Sequence, residues 1–339
     1  MKLIRTEDAV GHVLCHDLTQ IIKDTYKDAR FRKGHVVTQE DIPVLLSMGK
    51  EHLYVWEMTP GMVHENDAAE RLVALCANEH MERSEVKEGK IELRAGCDGL
   101  FQVDSRRLLA VNSVEEIMIA TRKGGLAVRK GDKLAGTRVI PLVIEEEKLR
   151  RAEQAAEGRP LLELLPFRLK TAAIVTTGSE VKKGLIQDTF TPVVKEKLAA
   201  YGIETVAQTF SGDGVDAVAN AVTALRRKKP DLIVCTGGMS VDPDDNTPGG
   251  IRQSGASIVT YGAPVLPGAM FLLGYFDDGM PIMGLPGCVM YAGATVFDLI
   301  LPKVAAGVPV SRADIVALGE GGLCLGCKPC HWPACPFGR

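Results

Sequence analysis

Three short turns concentrate the residue types that could do chemistry. They are Thr176-Thr177-Gly178-Ser179-Glu180, Thr236-Gly237-Gly238-Met239-Ser240 and Leu285-Pro286-Gly287-Cys288. Each follows an apolar run that reads as a buried strand. Glycine lets backbone N–H groups approach an anion closely, Thr and Ser hydroxyls add donors, and helix N-termini add partial positive charge. One such turn is weak, since glycine also simply makes turns. Three in succession point to a pocket that takes phosphate on Thr177, Gly178, Ser179, Thr236, Gly237, Gly238 and Ser240. Acidic residues stand in or beside the same turns: Glu180, Asp188, Asp213, Asp242, Asp244 and Asp245. Carboxylates next to phosphate donors suggest a bridging Mg²⁺. Asp188 and Asp213 also stand where helix N-caps belong, and capping is the expectation for Asp188. Thr247-Pro248 reads as an N-cap followed by proline at the first helical position. Capping does not explain Glu180 or Asp245, which are the expected Mg²⁺ ligands.

A second constellation lies at the C-terminus. Cys324, Cys327, Cys330 and Cys335 place four thiols within reach of one metal, with His331 as a spare ligand. Thiolates suit Zn²⁺ or an iron–sulfur cluster. The spacing is one residue longer than the ferredoxin run before its last Cys-Pro. Free thiols on a frayed tail, redox sensing and sulfur relay are the alternatives. Cys15, Cys76, Cys97, Cys235 and Cys288 are scattered singly and read as small core residues in a reducing compartment. His12, His16, His35, His52, His64 and His80 show no repeated ligand spacing. Lys182-Lys183 could steer an anion or simply be a solvated turn.

The turns need strands to hold them. Residues 166–307 alternate between strand and helix. Ala172–Val175, Ile203–Gln208, Leu232–Cys235, Phe271–Phe276 and Ile282–Leu285 read as strands. Thr189–Tyr201, Asp213–Leu225 and Val289–Val304 read as helices. That alternation predicts an α/β fold of three layers, a mostly parallel sheet covered on both faces, over residues 166–310. In such a sheet the carboxyl ends of the strands share one edge, and ligands bind in the crevice where connections diverge.

Smaller units precede it. Residues 1–56 read as a small α+β unit. Phe31–Val37 is turn then strand, Thr38 and Asp41 cap a helix through Ile42–Leu46, and His52–Trp56 returns as a strand. Residues 57–165 read as a β-rich lobe with a helix over Glu65–Ala77. Its short strands are Ile91–Leu93, Gly99–Val103, Ile117–Ala120, Leu126–Val128 and Arg138–Ile144. Asp104–Arg107 reads as a turn, and Glu145–Gly158 as a connecting helix. Residues 311–339 form the cysteine-rich tail.

Composition narrows the classes. The 339 residues carry a formal net charge of −3, with 46% hydrophobic and 24% charged residues. A near-neutral chain lacks the basic face of a nucleic-acid binder. The Arg226–Lys229 run reads as a helix C-terminus. The uncharged stretches Ser254–Phe276 and Gly279–Phe297 are broken by Gly and Pro, which argues against membrane spans. The charged N-terminus lacks a secretory h-region. The expectation is a cytoplasmic protein.

With these motifs in view, Lys170 to Ala306 resembles the molybdopterin-binding domain shared by molybdopterin molybdenumtransferases and the cofactor-synthesising part of gephyrin. The shared pattern is a TG-(D/S)-E loop, a GG-x-S loop ending in Asp, and an LPG turn. The whole chain is still more similar to stand-alone molybdopterin-binding proteins, in which TGGMSVDPDDNTP, YGAPVLPGAMF and LPGC precede a cysteine-rich tail. Cys288 stands where the family usually has Asn, Asp242 where it usually has Gly, and the N-S-A-M-D-G-Y-type segment is missing. The resemblance implies a pocket for molybdopterin or its adenylylated form. Glu180, Asp213 and Asp245 would be its acidic catalytic residues. Gly237, Gly238 and Ser240 would hold phosphate, and Pro286 and Gly287 would shape the pocket. It implies molybdate transfer to the dithiolene with loss of the nucleotide, a homodimer, and a client molybdenum enzyme. A non-catalytic carrier, storage or sensor protein and a nucleotide-handling hydrolase remain the alternatives.

Overall fold

A computed structural model of the chain describes residues 2–22, 26–55, 60–243 and 245–338. Trp56 and Asp244, both singled out above, lie outside the described residues, as does the side chain of Tyr26. The chain divides into two compact units. The first comprises Met1–Gly96, Val103–Arg122 and Lys130–Glu163, and the second Cys97–Gln102, Lys123–Arg129 and Leu164–Arg339.

In the first unit, Lys2–Arg5 pairs antiparallel with His52–Val55, and Leu18–Ile22 with Tyr26–Phe31. Leu14, Leu18, Phe31, Val37, Leu45 and Leu53 share one small core. The helix Asp41–Ser47 does not start on Thr38 as expected: Glu40 holds the N-cap position without a side-chain bond, and Asp41 Oδ2 instead accepts from both N–H and O–H of Thr38 at 2.8 Å, fixing the turn before the helix. The Phe31–Val37 stretch differs from expectation. The strand ends at Phe31, and Val36 keeps only an isolated bridge to Val13. Further along, four antiparallel strands lie in the order Met81–Arg83, Ile91–Ala95, Lys133–Val139, Ile117–Thr121. Two readings are corrected here. Arg138–Ile144 is not one strand, since Lys133–Val139 ends before Val143–Glu145 begins. Asp104–Arg107 is not a turn but the start of helix Ser105–Asn112. Asp104 caps it by accepting from Arg107 N at 3.0 Å, and the buried Arg107 guanidinium donates to the carbonyls of Ala156, Arg159 and Pro160. A buried arginine needs such partners, and their distance in sequence hid them.

The second unit is built on strands β1 (Thr171–Thr177), β2 (Glu204–Ser211), β3 (Leu232–Thr236), β4 (Ser257–Tyr261), β5 (Leu272–Tyr275) and β6 (Pro281–Leu285). Its helices are α1 (Ser179–Lys182), α2 (Phe190–Ala199), α3 (Val215–Arg226), α4 (Thr247–Gln253), α5 (Val296–Ala305) and α6 (Arg312–Val316). Among the described residues the six strands form one sheet in the order β2-β1-β3-β6-β5-β4. β2, β1, β3 and β6 run parallel, whereas β5 is antiparallel to both β6 and β4.

Period-two alternation sends side chains of one strand to opposite faces. Ala172 and Ile174 join a core with Val194 and Leu198 of α2 and Phe297, Ile300 and Leu301 of α5. Ala173 and Val175 join a second core with Val218, Val222 and Leu225 of α3 and Ile251 of α4. The unit is therefore a three-layer α/β/α fold with a mostly parallel sheet. Its connections have one consequence for function. From β1 the chain leaves over the α2 face, while from its neighbour β3 it leaves over the α4 face. The carboxyl ends of β1 and β3 thus flank a crevice at a topological switch point, the usual ligand position in open α/β sheets.

Two elements differ from the sequence reading. Ser257–Tyr261 is an edge strand that the glycine-broken stretch concealed. Val289–Val304 is not one helix. A short 3₁₀ turn over Gly287–Met290 is followed by an irregular stretch before α5 starts at Val296. The break comes from a capping box in which the Thr295 side chain and Asp298 exchange hydrogen bonds with each other's backbone. Such reciprocal satisfaction of orphan N–H groups fixes a helix start.

Candidate functional site

The first two turns meet at the switch point and lock each other. Thr177, the last residue of β1, is buried, and its Oγ1 donates to Thr236 O at 3.0 Å and lies 3.2 Å from Thr247 Oγ1. Thr247 Oγ1 donates to Gly237 O at 2.9 Å, and Thr247 N to Gly238 O at 3.1 Å. Here the glycines are obligatory. Gly237 and Gly238 have φ of +85° and +58°, and a Cβ on them would lie 2.6 Å from Thr177 O and from Thr247 Oγ1 respectively. Side chains avoid both that backbone region and that approach. Thr247 is the first residue of α4, and Asn246 takes the N-cap position with Pro248 behind it, so the expected capping role of Thr247 shifts by one residue. Its hydroxyl instead ties α4 to the second turn. Thr236 Oγ1 is buried and has no hydrogen-bond partner among the described residues.

The carboxylates divide by task. Asp188 Oδ1 accepts from Phe190 N and Thr191 N at 3.0 and 2.9 Å, the capping role expected for it. Its Oδ2 accepts from Gln208 Nε2 of β2 at 2.9 Å. Burial works to raise the carboxyl, but the hydrogen bonds from Thr191, Gln208 and Phe190 outweigh it and hold Asp188 below the usual carboxylate range. Asp213 does not cap its own helix, where Gly214 holds the N-cap position without a side-chain bond. It reaches across to the first turn, and its Oδ2 accepts from Ser179 N at 3.0 Å. Asp245 Oδ2 accepts from Ser240 N at 2.8 Å, which closes the second turn on itself. Asp213 and Asp245 each keep a second oxygen free of hydrogen bonds among the described residues. Glu180 is exposed on α1, as are Ser240, Asp242, Lys182 and Lys183.

Tyr261 and Gln208 escaped the sequence reading. Tyr261 OH donates to Met239 O at 2.8 Å and so holds the second turn from β4. Burial, with the Asp245 charge beside it, pushes this phenol up. No local signal marks either residue, because both act across the sheet.

The third turn is next in register, with Leu285 of β6 paired to Thr236 of β3. Pro286 is buried, Gly287 is exposed, and Cys288 is half-buried with its thiol pushed up by burial. A separate cavity of about 350 Å³ is lined by Leu126, Leu299, Lys303, Asp314 and Glu320, and no turn residue lines it.

The tail packs back onto the sheet unit. Phe337 is buried in the α2–α5 core, with Cys324, Trp332 and Cys335 packed against it, while Cys327 and Cys330 are exposed. No disulfide joins any of the cysteines among the described residues. The expected metal sites are not preassembled. Among the described residues no three His, Cys, Asp or Glu side chains converge as a metal-binding set, either in the tail or at the turns.

Comparison with known proteins bears on this geometry. Residues 173–306 match the family described as the probable molybdopterin binding domain. This stretch is a member of the molybdopterin-binding domain family. Residues 3–57 match a domain of unknown function. Among curated proteins, a CinA-like protein of Pseudothermotoga lettingae is 33% identical over 86 residues, which covers 25% of this chain and 21% of that protein. A putative competence-damage inducible protein of Desulforudis audaxviator is 42% identical over 77 residues, 22% of this chain and 18% of that one. The chain thus spans about a fifth of the length of the curated relatives it matches. Among solved structures, the molybdopterin biosynthesis enzyme MoaB of Thermus thermophilus aligns with a TM-score of 0.36 at 21% identity, covering 42% of this chain and 99% of that one. CinA of Thermoplasma acidophilum, a protein described as of unknown function, aligns with a TM-score of 0.34 at 18% identity, covering 40% and 98%. Among the described residues no helix is long and apolar enough to cross a membrane.

Proposed function

We propose that this chain binds a molybdopterin-type pterin phosphate, plain or adenylylated, on the three turns and inserts molybdate into its dithiolene during cofactor assembly. The observation that carries the reading is the mutual locking of the first two turns at the switch point. There Gly237 and Gly238 are held against Thr177 and Thr247. Preformed backbone donors recognise an anion without reordering cost. The N–H groups of Gly178, Gly237 and Gly238 and the hydroxyls of Ser179 and Ser240 supply phosphate donors in this reading, Thr177 frames the pocket through its bond to Thr236 O, and the unpartnered Thr236 hydroxyl is a further donor. Pro286 and Gly287 shape the far side.

Mg²⁺ fits the donor set. The groups available are hard oxygens: one free oxygen each on Asp213 and Asp245, and the exposed Glu180. Ligand phosphate and water would complete the shell, as Mg²⁺ prefers. Held there, the ion would offset phosphate charge. Asp213 and Asp245 have a second task, keeping the first and second turns in register through Ser179 N and Ser240 N. The proposed protein is cytoplasmic, works as a homodimer, and hands its product to a client molybdenum enzyme.

A second reading is a non-catalytic carrier, storage or sensor protein. It draws support from the same carboxylates, two of which are already engaged by backbone N–H groups. Turnover of adenylylated molybdopterin with molybdate separates the two. Nucleotide release coupled to molybdenum incorporation supports the transferase, and tight binding without turnover supports the carrier. Hydrolysis of an unrelated nucleotide, with no pterin binding, would defeat both.

A further inference from the structure

We propose that Cys324, Cys327, Cys330 and Cys335 bind one thiolate-ligated metal centre, a zinc ion or an iron–sulfur cluster, that closes the C-terminal loop onto the segment following the third turn. The inference stands apart from the pterin reading. It rests on how the loop is held. Gly338 N donates to Gly321 O at 2.9 Å, so the two ends of the loop are hydrogen-bonded to each other. Cys324 lies three residues inside one end and Cys335 three residues inside the other. Both pack, half-buried, on the same core that takes Phe337. Leu323 bridges to Leu266, and Cys324 N donates to Leu266 O at 2.8 Å, which fixes the first thiol to the sheet unit. Each of these two thiols is thereby held near one end of a loop whose ends are joined. Cys327 and Cys330 stand on the exposed turn between them. Cys327 is three residues from both Cys324 and Cys330, a span of at most about 10 Å of chain, and Cys330 is five residues from Cys335, at most about 18 Å.

Between its anchored ends the loop is held by side chains more than by backbone, with Trp332 packed on the core and its ring edge-on to Phe337. Within residues 325–336, Ala334 N donates to His331 O and closes one turn. Cys327 and Cys330 are exposed, and Pro329, Pro333 and Pro336 remove three donors. A segment this short, pinned at the neck and without a core of its own, is the kind that a metal organises. On ligation each thiol would release its proton to solvent. The tip also rests on the site-bearing part of the unit. A Cβ on Gly293 would lie 2.6 Å from Cys330 Sγ. Gly293 belongs to the irregular stretch between the third turn and α5, and its carbonyl accepts from Lys197 Nζ at 3.2 Å. Ligation of Cys330 would therefore brace residues 288–295.

The test uses the full chain, purified anaerobically and reduced. Co²⁺ is titrated while thiolate-to-metal charge-transfer and tetrahedral d–d absorption are followed. Saturation at about one Co²⁺ per chain is expected. Cys327→Ser and Cys330→Ser, at exposed positions, should remove most of the charge-transfer band, whereas Cys97→Ser should retain it. Iron with acid-labile sulfide in the protein as isolated or after reconstitution identifies a cluster, and zinc alone identifies a single ion. Absence of zinc, of the Co²⁺ band and of a reconstituted cluster, in protein whose tail thiols all react with a thiol reagent, overturns the proposal. Undiminished bands in the Cys327 and Cys330 variants overturn it too. Hydrogen exchange at residues 288–295 should slow on metal loading, and unchanged exchange there removes the bracing role.

Discussion

The turn after β3 and the C-terminal loop are both short, glycine- or proline-bearing segments of the same unit, yet they are held in opposite ways. The turn is fixed at nearly every residue. Thr247 binds Gly237, Tyr261 holds Met239, Asp245 takes Ser240 N, and Thr177 reaches Thr236. The loop is fixed at its neck and by the side chains that pack on the core. The difference follows from what each could bind. A phosphate is recognised by fixed backbone dipoles, and their value lies in being in place beforehand. Thiolates form strong bonds to a metal, so the metal itself can gather them.

Substitutions should separate the two regions, and the largest effect is expected at the neck of the loop. Phe337→Ala removes a ring that is 2% exposed and should lower unfolding free energy by about 3–4 kcal/mol. Pterin affinity measured well below the new Tm should nevertheless stay within about twofold, since the hydrogen bonds that lock the first two turns involve no residue of the loop. A parallel loss of affinity would mean that the turns depend on the loop. Gly237→Ala comes next. A left-handed φ and a Cβ 2.6 Å from a backbone carbonyl together should lower stability by about 2–3 kcal/mol. Calorimetry on this variant should also show ligand binding abolished, and retained binding would show the turn to be adaptable rather than fixed.

Asp188→Ala should cost about 1–2 kcal/mol through the lost cap of α2. Its pH dependence gives a sharper check. The folded carboxyl lies below its ordinary value. The stabilisation is therefore fully present above the ordinary aspartate value and is lost as pH falls through the depressed one. Urea unfolding of the wild type should weaken over that acid window, and Asp188→Asn should flatten the dependence there. Asp245→Asn has the smallest expected effect on folding, within about 0.5 kcal/mol, because the amide oxygen can still accept from Ser240 N. Mg²⁺-dependent pterin binding should weaken about tenfold, on the scale of one charge-assisted contact. Unchanged binding with an intact Tm would remove Asp245 from the site.

Much of the α/β unit was legible because its signals are local. Apolar runs, helical periodicity and the Asp188 cap are all read within a few residues of one another. The three turns were legible for the same reason. What escaped was non-local or masked by composition. Asp213 looked like a cap, but its partner Ser179 lies across the sheet. Tyr261 and Gln208 act from other strands. The uncharged stretch that hid β4 offered no clean alternation. Val289–Val304 read as one helix because its residues are mostly apolar, although Thr295-x-x-Asp298 carried the start signal. The helix after Asp104 was missed because the partners of the buried Arg107 lie some fifty residues away in sequence. At the site, residue types identified the chemistry, while the sheet decided which carboxylates hold backbone and which keep an oxygen for a ligand.

The most direct test is calorimetric titration of the anaerobically purified chain with molybdopterin and with its adenylylated form, with and without Mg²⁺. Tight binding of at least one form, strengthened by Mg²⁺ and lost in Gly237→Ala, is the predicted result. Absence of binding to either form by a folded protein would contradict it, and would assign the locked turns to a different phosphate ligand.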